Sequence, residues 1–404
     1  MNILVYRWNS YNYIDIIATF QSMGHQVDVI EQELESYDED ESFVARLHGI
    51  LQQKNYDFVF TVNYFAVISG VCRQMGIKYV SWSCDSPLLS MYHKNVFLDC
   101  NYFFLFDKTN YLEFKGMGVK HIWHLPLAVD TNRLDELFAQ DTMDKMQLAE
   151  TDSGNASKHS VRDFAGGISF VGNLYEKNSY DELETRFPEY LRGYFDAVME
   201  AQLNISGVNI IEPMLTADIL ERVSEYFELK KSKDSFSDLG LVFATTVLGF
   251  KTASLQRQRA LLALVAKFPV NLYTNTGGDT LLRVKNCGSV DYWSEMPKVF
   301  RYSKINLNFT IPNIKSGLPL RIFDVLGAGG FLLTNYQAEL PDHFEIGKDL
   351  ACFESEAELV EKCSYYLTHE EERQQIAKNG YEKVKNCCSY RKRLKFILEK
   401  IGEE

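Results

Sequence analysis

Ser303–Asn335 reads SKINLNFTIPNIKSGLPLRIFDVLGAGGFLLTN, and its parsing decides the fold. Lys304–Thr310 is dense in β-branched and apolar residues, as a strand covered on both faces would be. Ile311–Gly317 carries Pro312, Asn313, Ser316 and Gly317, loop chemistry that ends at a helix start. Pro319 fits the first helical turn, where a missing N–H costs nothing. The helix continues through Arg321, Asp324 and Leu326; Gly329–Gly330 stops it, and FLLTN returns to the sheet. A helix N-terminus reached through Ser316–Gly317 leaves amide groups aimed at one point, which attracts anions and above all phosphate.

Arg321 and Asp324 are three residues apart and share one face of this helix. A guanidinium there suits a diphosphate oxygen, and a carboxylate suits the paired hydroxyls of a ribose. A plain ion pair between the two is the other reading, and the commoner fate of such a spacing. Position favours ligand binding, because loops at the carboxyl ends of strands are where open α/β sheets hold ligands.

Outward from this unit the same alternation recurs. Strands are expected at Asn2–Trp8, Gln26–Ile30, Asp57–Val62, Ile77–Trp82, Tyr102–Phe106 and His121–Leu125, with helical patterns between most of them. That alternation predicts an α/β fold with parallel, doubly wound sheets. No GxGxxG follows the first strand, so a dinucleotide site is unsupported. Asp38-Glu39-Asp40 has the spacing of a metal motif, but acidic residues ahead of an amphipathic helix follow from the helix dipole alone.

Two strand ends in this half release polar groups. The first ends in Arg7, Trp8 and Asn9, released at the carboxyl edge of the sheet. The strand ending at Trp82 delivers Ser83-Cys84-Asp85-Ser86-Pro87, with His93 soon after. Asp85 and His93 are the candidate bases, able to take a proton from a hydroxyl. For Asp85 an Asx-type turn before Pro87 is the competing reading.

From 141 to 166 the chain turns polar and irregular and reads as a linker. The division expected is 1–140, linker 141–166, a second domain over 167–386, and a terminal segment 387–404. In the second domain Ile168–Val171 empties into Gly172, Asn173 and, further on, Lys177. Residues 180–268 read mostly as helices, too long for one crossover, so a helical insertion is expected. Val270–Tyr273 ends in Thr274, and a short strand at Ser289–Val290 leads to Tyr292.

Length and charge narrow the class further. A chain of 404 residues with 46% hydrophobic content supports two packed domains. A net charge of −13 opposes nonspecific binding to nucleic acid or anionic membranes. No run is read as a membrane helix of about 18 apolar residues. Eight scattered cysteines without a CxxC pair fit a reduced, cytoplasmic protein without structural zinc.

The segment 303–335, with FVGNLYEKN (170–178) before it and ELVEKCSYYLTHEEERQQIAKNGYEKV (358–384) after it, resembles the C-terminal half of CgeB-like glycosyltransferases. These spore-maturation-type proteins are relatives of the group 1 glycosyltransferases and share their GT-B fold, two Rossmann-like domains facing across a cleft. SWSCDSP (81–87), FLFD (104–107) and HLPLAVD (124–130) extend the likeness into the first half. The resemblance implies a hexose-type transferase taking a nucleotide-diphosphate sugar as donor, with no cofactor; helix amides and Arg321 would stabilise the leaving diphosphate without a divalent metal, and the sequence shows no metal-ligand cluster.

It also implies residue roles. Gly172 lets the donor diphosphate approach the backbone, with Asn173 where relatives often place an arginine and Lys177 as a nearby cation. Ser316 stands where relatives often place a glutamate. Ser316, Gly317 and Arg321 face the diphosphate, Asp324 the ribose, and Tyr292 the base, with Thr274 on the donor side; an aromatic at 292 could equally be core. Asp85 is the family-matched base, and the last helix returns to the first domain. A GT-B epimerase acting on the sugar nucleotide, or a silent module that binds it or a partner, are the rival readings.

Overall fold

The computed structural model describes residues 1–150, 164–275, 277 and 283–402, with backbone alone for 145–150. The first lobe is built on β1 (Asn2–Arg7), β2 (Gln26–Glu31), β3 (Phe58–Val62), β4 (Lys78–Trp82), β5 (Asn101–Leu105) and β6 (Ile122–His124). The second carries β7 (Gly166–Val171), β8 (Val270–Tyr273), β9 (Lys285–Asn286), β10 (Ser303–Asn308), β11 (Leu332–Asn335) and β12 (Ala351–Phe353). The two six-stranded sheets run β2-β1-β3-β4-β5-β6 and β12-β11-β10-β7-β8-β9. Their pairings are parallel, for example Ile3 with Phe58 and Ile305 with Ile168. Strands such as β3 and β5 are buried along their whole length, which is why they read as unbroken apolar runs.

Strand order reverses once in each sheet. In the first, β1 lies between β2 and β3; in the second, β7 lies between β8 and β10. Neighbouring crossovers leave such a strand in opposite directions, so a crevice opens at its carboxyl end.

The lobes share one core. One apolar cluster runs through both, from Ile3, Phe60 and Trp82 to Ile322, Leu326 and Tyr390. The Tyr390–Gly402 helix crosses back to the first lobe, where Tyr390 meets Trp82 edge to face at 6.0 Å and Lys78 Nζ donates to the Ile401 carbonyl at 2.6 Å. Arg391, Lys392 and Lys395 lie on its exposed face.

Three details differ from expectation. The Thr131–Glu150 helix runs through the start of the expected linker, and β7 begins at its end; 151–163 lie outside the described residues. Asp141 is anchored there by Lys298 at 2.7 Å and Tyr302 at 2.6 Å, contacts that a polar composition does not reveal. The short strand is Lys285–Asn286 and not Ser289–Val290. Leu239–Val265 is long and apolar enough to cross a membrane, yet 56% of its window is buried in the protein. Phe243, Val247 and Leu248 fill the core of the helical insertion, and Leu261 and Leu264 that of the second sheet.

Candidate functional site

Each reversal point is bridged by one side chain. In the first lobe Trp8 Nε1 donates to the Val62 carbonyl at 2.7 Å, tying the end of β1 to the end of β3. The next residue, Asn63, takes a left-handed backbone, φ 63°. A non-glycine residue accepts that conformation at a cost, and asparagine bears it best. The reward is a turn in which Asn63 Nδ2 donates to Asp85 Oδ2 at 2.6 Å, while its Oδ1 accepts from the Cys84 amide at 2.9 Å.

Asp85 is open to solvent but set deep among protein atoms, and this partial desolvation raises its pKa against the pull of Asn63. A carboxylate so placed can accept a proton. The neighbouring Ser86, joined to Pro87 by a cis peptide bond, donates to Asp107 Oδ2 at 2.8 Å. His93 is different: it is buried, and its Nδ1 accepts from the Asn95 amide to cap a short turn. That capping role engages one of its two ring nitrogens.

In the second lobe the bridge is Arg257, on the Gly249–Val265 helix. Its guanidinium donates to the Asn173 carbonyl beyond β7 and, at 2.8 Å, to the Phe309 carbonyl beyond β10. It lies 4.8 Å over the Tyr175 ring, and Tyr175 is the other described non-glycine residue with a left-handed backbone, φ 52°. Arg257 is buried, its Nε has no acceptor, and among the described residues no carboxylate pairs with it. Burial lowers its pKa, and the charge of Arg321 pushes the same way. An uncompensated buried cation costs several kcal/mol. Two guanidiniums within electrostatic reach, one without a counterion, form a place for an anion.

The remaining donor-side residues are placed as follows. Gly172 turns where a Cβ would meet the Phe170 ring at 3.0 Å. Asn173 Oδ1 accepts from the Tyr175 amide at 2.6 Å, so it shapes the loop. Thr274 is buried at the end of β8, and Lys177 is exposed without an ion pair among the described residues.

The loop ahead of the Leu320–Gly327 helix corrects the phosphate expectation in part. Lys315 and Ser316 amides donate to Asp107 Oδ2 at 2.8 and 3.3 Å, and Ser316 Oγ lies 2.9 Å from Asp107 Oδ1 and 2.7 Å from Glu339 Oε1. Ser316 therefore holds the protein's own carboxylates. Gly317 packs so closely that a Cβ would sit 2.9 Å from Asp107 Cα. The loop is one of the points where the lobes touch, and Asp107 joins it through Ser86 to the Asp85 turn. The helix itself starts at Pro319 with no side-chain cap, so its first-turn amides are not used that way.

Arg321 and Asp324 also pair with each other, Nη1 to Oδ2 at 3.5 Å, the plainer of their two readings. Arg321 lies 5.3 Å over the Phe300 ring and contacts Met296 Sδ. Asp324 Oδ1 accepts from the Tyr292 hydroxyl at 2.9 Å, and burial pushes its pKa up to about 6. One face of Tyr292 is covered by Tyr11 of the first lobe, centroids 4.8 Å apart at 23°. The expected ribose and base residues thus engage each other in this state. Nearby, Arg133 grips Asp15 with Nε at 2.6 Å and Nη2 at 3.1 Å.

A cavity of about 610 Å³ opens at the ends of β1 and β2, lined by Arg7, Trp8, Asn9, Glu33 and Tyr37 and closed by Trp293 from the second lobe. Arg7 is paired with Glu31 at 2.7 Å along its wall. Among the described residues no group of three or more His, Cys, Asp and Glu side chains could hold a metal ion.

Arg257, Asn63 and Asp107 escaped the sequence reading. Arg257 had a visible signal: with Ala253, Ala260 and Leu264 it falls on the buried stripe of its helix.

Comparison with known proteins agrees with this architecture. Residues 257–399 match the model of a family described as Glycosyl transferase-like, a stretch that opens on Arg257 and contains Arg321 and Asp324. No protein with a curated description matches the chain. Among solved structures, HepE of Anabaena in complex with UDP and glucose is similar over 100% of both chains, with 10% identity and a TM-score of 0.54. Sucrose-phosphate synthase from Thermosynechococcus elongatus is similar over 98% of this chain and 97% of its own, with 8% identity and a TM-score of 0.55. A glycosyltransferase from Rickettsia africae is similar over 100% and 99%, with 10% identity and a TM-score of 0.52. The fold is the two-domain α/β architecture of the GT-B type.

Proposed function

We propose that the protein is a glycosyltransferase that moves a sugar, of hexose type, from a nucleotide-diphosphate sugar to an acceptor hydroxyl. The observation that carries this reading is Arg257, a buried guanidinium without a counterion among the described residues, bridging the ends of two strands at the reversal point of the second sheet. In the proposed reaction the bond from acceptor oxygen to anomeric carbon forms as the bond from that carbon to the diphosphate breaks. The electron pair leaves with the diphosphate, whose charge Arg257, Arg321 and the first-turn amides of the Leu320–Gly327 helix stabilise. Asp85 takes the hydroxyl proton, and Asn63 holds that carboxylate in place.

For Asp324 and Tyr292 to meet ribose and base, their mutual hydrogen bond gives way to the ligand, a local rearrangement of two side chains. The acceptor lies against Trp8 and Asn9, in the cavity closed by Trp293. Two guanidiniums supply the positive charge, so transfer independent of a divalent metal is part of the proposal. HepE was solved with UDP and with UDP-glucose, which makes UDP-sugars the first donors to try. A CgeB-like subtype rests on the motifs around 170–178 and 303–335. A cytoplasmic setting fits the free cysteines, none of them bridged.

The deciding experiment is a panel of sugar nucleotides screened by melting shift, then by release of the nucleoside diphosphate, with and without EDTA. Stabilisation by one donor and turnover insensitive to EDTA are expected. Stabilisation without turnover under any acceptor would favour the silent module instead.

A further inference from the structure

A second cavity, of about 720 Å³, opens at the opposite pole of the second lobe, at the amino ends of β10 and β11. The sheet stands between it and the cleft, so it takes no part in the chemistry above. Four cations line it, Arg301, Lys304, Arg373 and Lys378, against the carboxylates of Glu370 and Glu382, with Lys304 paired to Glu370 at 3.2 Å. That local excess of positive charge stands out in a chain of net charge −13.

The wall is built and not a loose surface. Arg373 is buried, its Nη1 donating to the Lys304 carbonyl at 2.8 Å and its Nη2 lying 3.4 Å from Glu370; its Nε has no acceptor. Arg301 pairs with no carboxylate among the described residues; it reaches the Ala328 carbonyl at 3.3 Å and lies 5.0 Å over the Phe138 ring of the first lobe. Gly329 makes room for it: its backbone is left-handed, φ +72°, and a Cβ would fall 2.6 Å from Arg301 Nη1. Lys378 is exposed and without an ion pair among the described residues. The charge that no carboxylate holds among the described residues, that of Arg301 and Lys378, therefore stands on the wall of the cavity. Guanidiniums arranged in this way match the oxygens of a phosphate group.

We propose that this polar cavity binds a small phosphate-bearing anion, independently of the donor cleft. The test is calorimetric titration of the full chain with inorganic tripolyphosphate, run beside a nucleoside diphosphate. Lys378→Glu and Lys304→Gln alter exposed side chains, and their melting temperatures without ligand should match the parent. Each is expected to weaken tripolyphosphate about tenfold or more, the loss of one charge-assisted contact, and to leave the nucleoside diphosphate unaffected. Arg321→Ala should do the reverse. Tripolyphosphate binding unchanged in both cavity variants, or lost in Arg321→Ala alone, overturns the proposal, as does the absence of any binding to the parent protein. A failure of the donor reading shows separately, in the nucleoside diphosphate titration.

Discussion

The Tyr292 hydroxyl donates to Asp324 Oδ1 at 2.9 Å, in a seam where burial holds that carboxyl at a pKa of about 6 instead of 3.8. Between those two values the unfolded chain has lost a proton that the folded protein keeps. Stability therefore falls as pH rises through that window, and the whole loss is present above about pH 6. Asp324→Asn removes the charge and keeps an acceptor for Tyr292. It should raise the melting temperature at pH 7 to 8, by an amount corresponding to at most about 3 kcal/mol, less what the Arg321 pair contributed. The advantage should close as pH falls towards 4, while donor affinity drops at every pH. An advantage of the same size at pH 4 would show that burial of the charge is not its cause.

Arg257 makes a sharper demand. Its guanidinium spans the carbonyls of Asn173 and Phe309 at once, which a lysine ammonium cannot do with the same fork. Arg257→Lys should weaken a nucleoside diphosphate about ten- to a hundredfold, the worth of one charge-assisted contact. The matching nucleoside without phosphate should bind as before. Equal losses for both ligands would mean that the arginine merely holds two loops together.

These two residues show what a sequence discloses and what it hides. Ser303–Asn335 reveals strand, loop, helix and strand because period, proline and glycine are local signals, and the structure places β10, the Leu320–Gly327 helix and β11 there. The spacing of Arg321 and Asp324 is equally legible. What fills the anion position at Ser316 is not, because Asp107 arrives from 209 residues away. Asn63 is hidden for a related reason: its meaning lies in a left-handed backbone and in a partner on another strand. Arg257 was legible as a charge on an apolar stripe, a pattern that contradicts burial unless something pairs with it. The cap that His93 Nδ1 makes to the Asn95 amide is hidden too, because the sequence shows a histidine after a polar loop and not the short turn it closes.

Asp85 and Asn63 can be separated by kinetics. Asp85→Asn should lower kcat by about 10²- to 10⁴-fold, the usual worth of a positioned base, with donor affinity unchanged. Asn63→Gly keeps the left-handed turn and deletes the 2.6 Å bond to the carboxylate. That bond lowers the Asp85 pKa against the upward push of burial. Without it the acidic limb of the kcat/KM profile should move to higher pH, while the plateau falls less than in Asp85→Asn. A profile that drops uniformly without moving would assign Asn63 to folding alone.

Gly317 tests whether lobe contact at this loop matters to turnover. A methyl group there would stand 2.9 Å from Asp107 Cα and 3.0 Å from Phe106, backbone and ring that cannot swing aside. Its backbone is not left-handed, so alanine brings no strain of its own, and the loop can retreat by opening the lobes slightly. Gly317→Ala should therefore fold, with a melting temperature a few degrees lower and a larger radius of gyration by small-angle scattering. The rate should fall about tenfold or more, because a misplacement near 1 Å between reacting groups is costly. Asp107→Gly in the same background removes the carboxylate that the loop amides hold and, with the Cβ gone, one of the atoms the new methyl group meets. Recovery of compactness without recovery of rate would locate the defect in the Asp107 contact itself, and recovery of both would show that crowding at Gly317 was the whole cause.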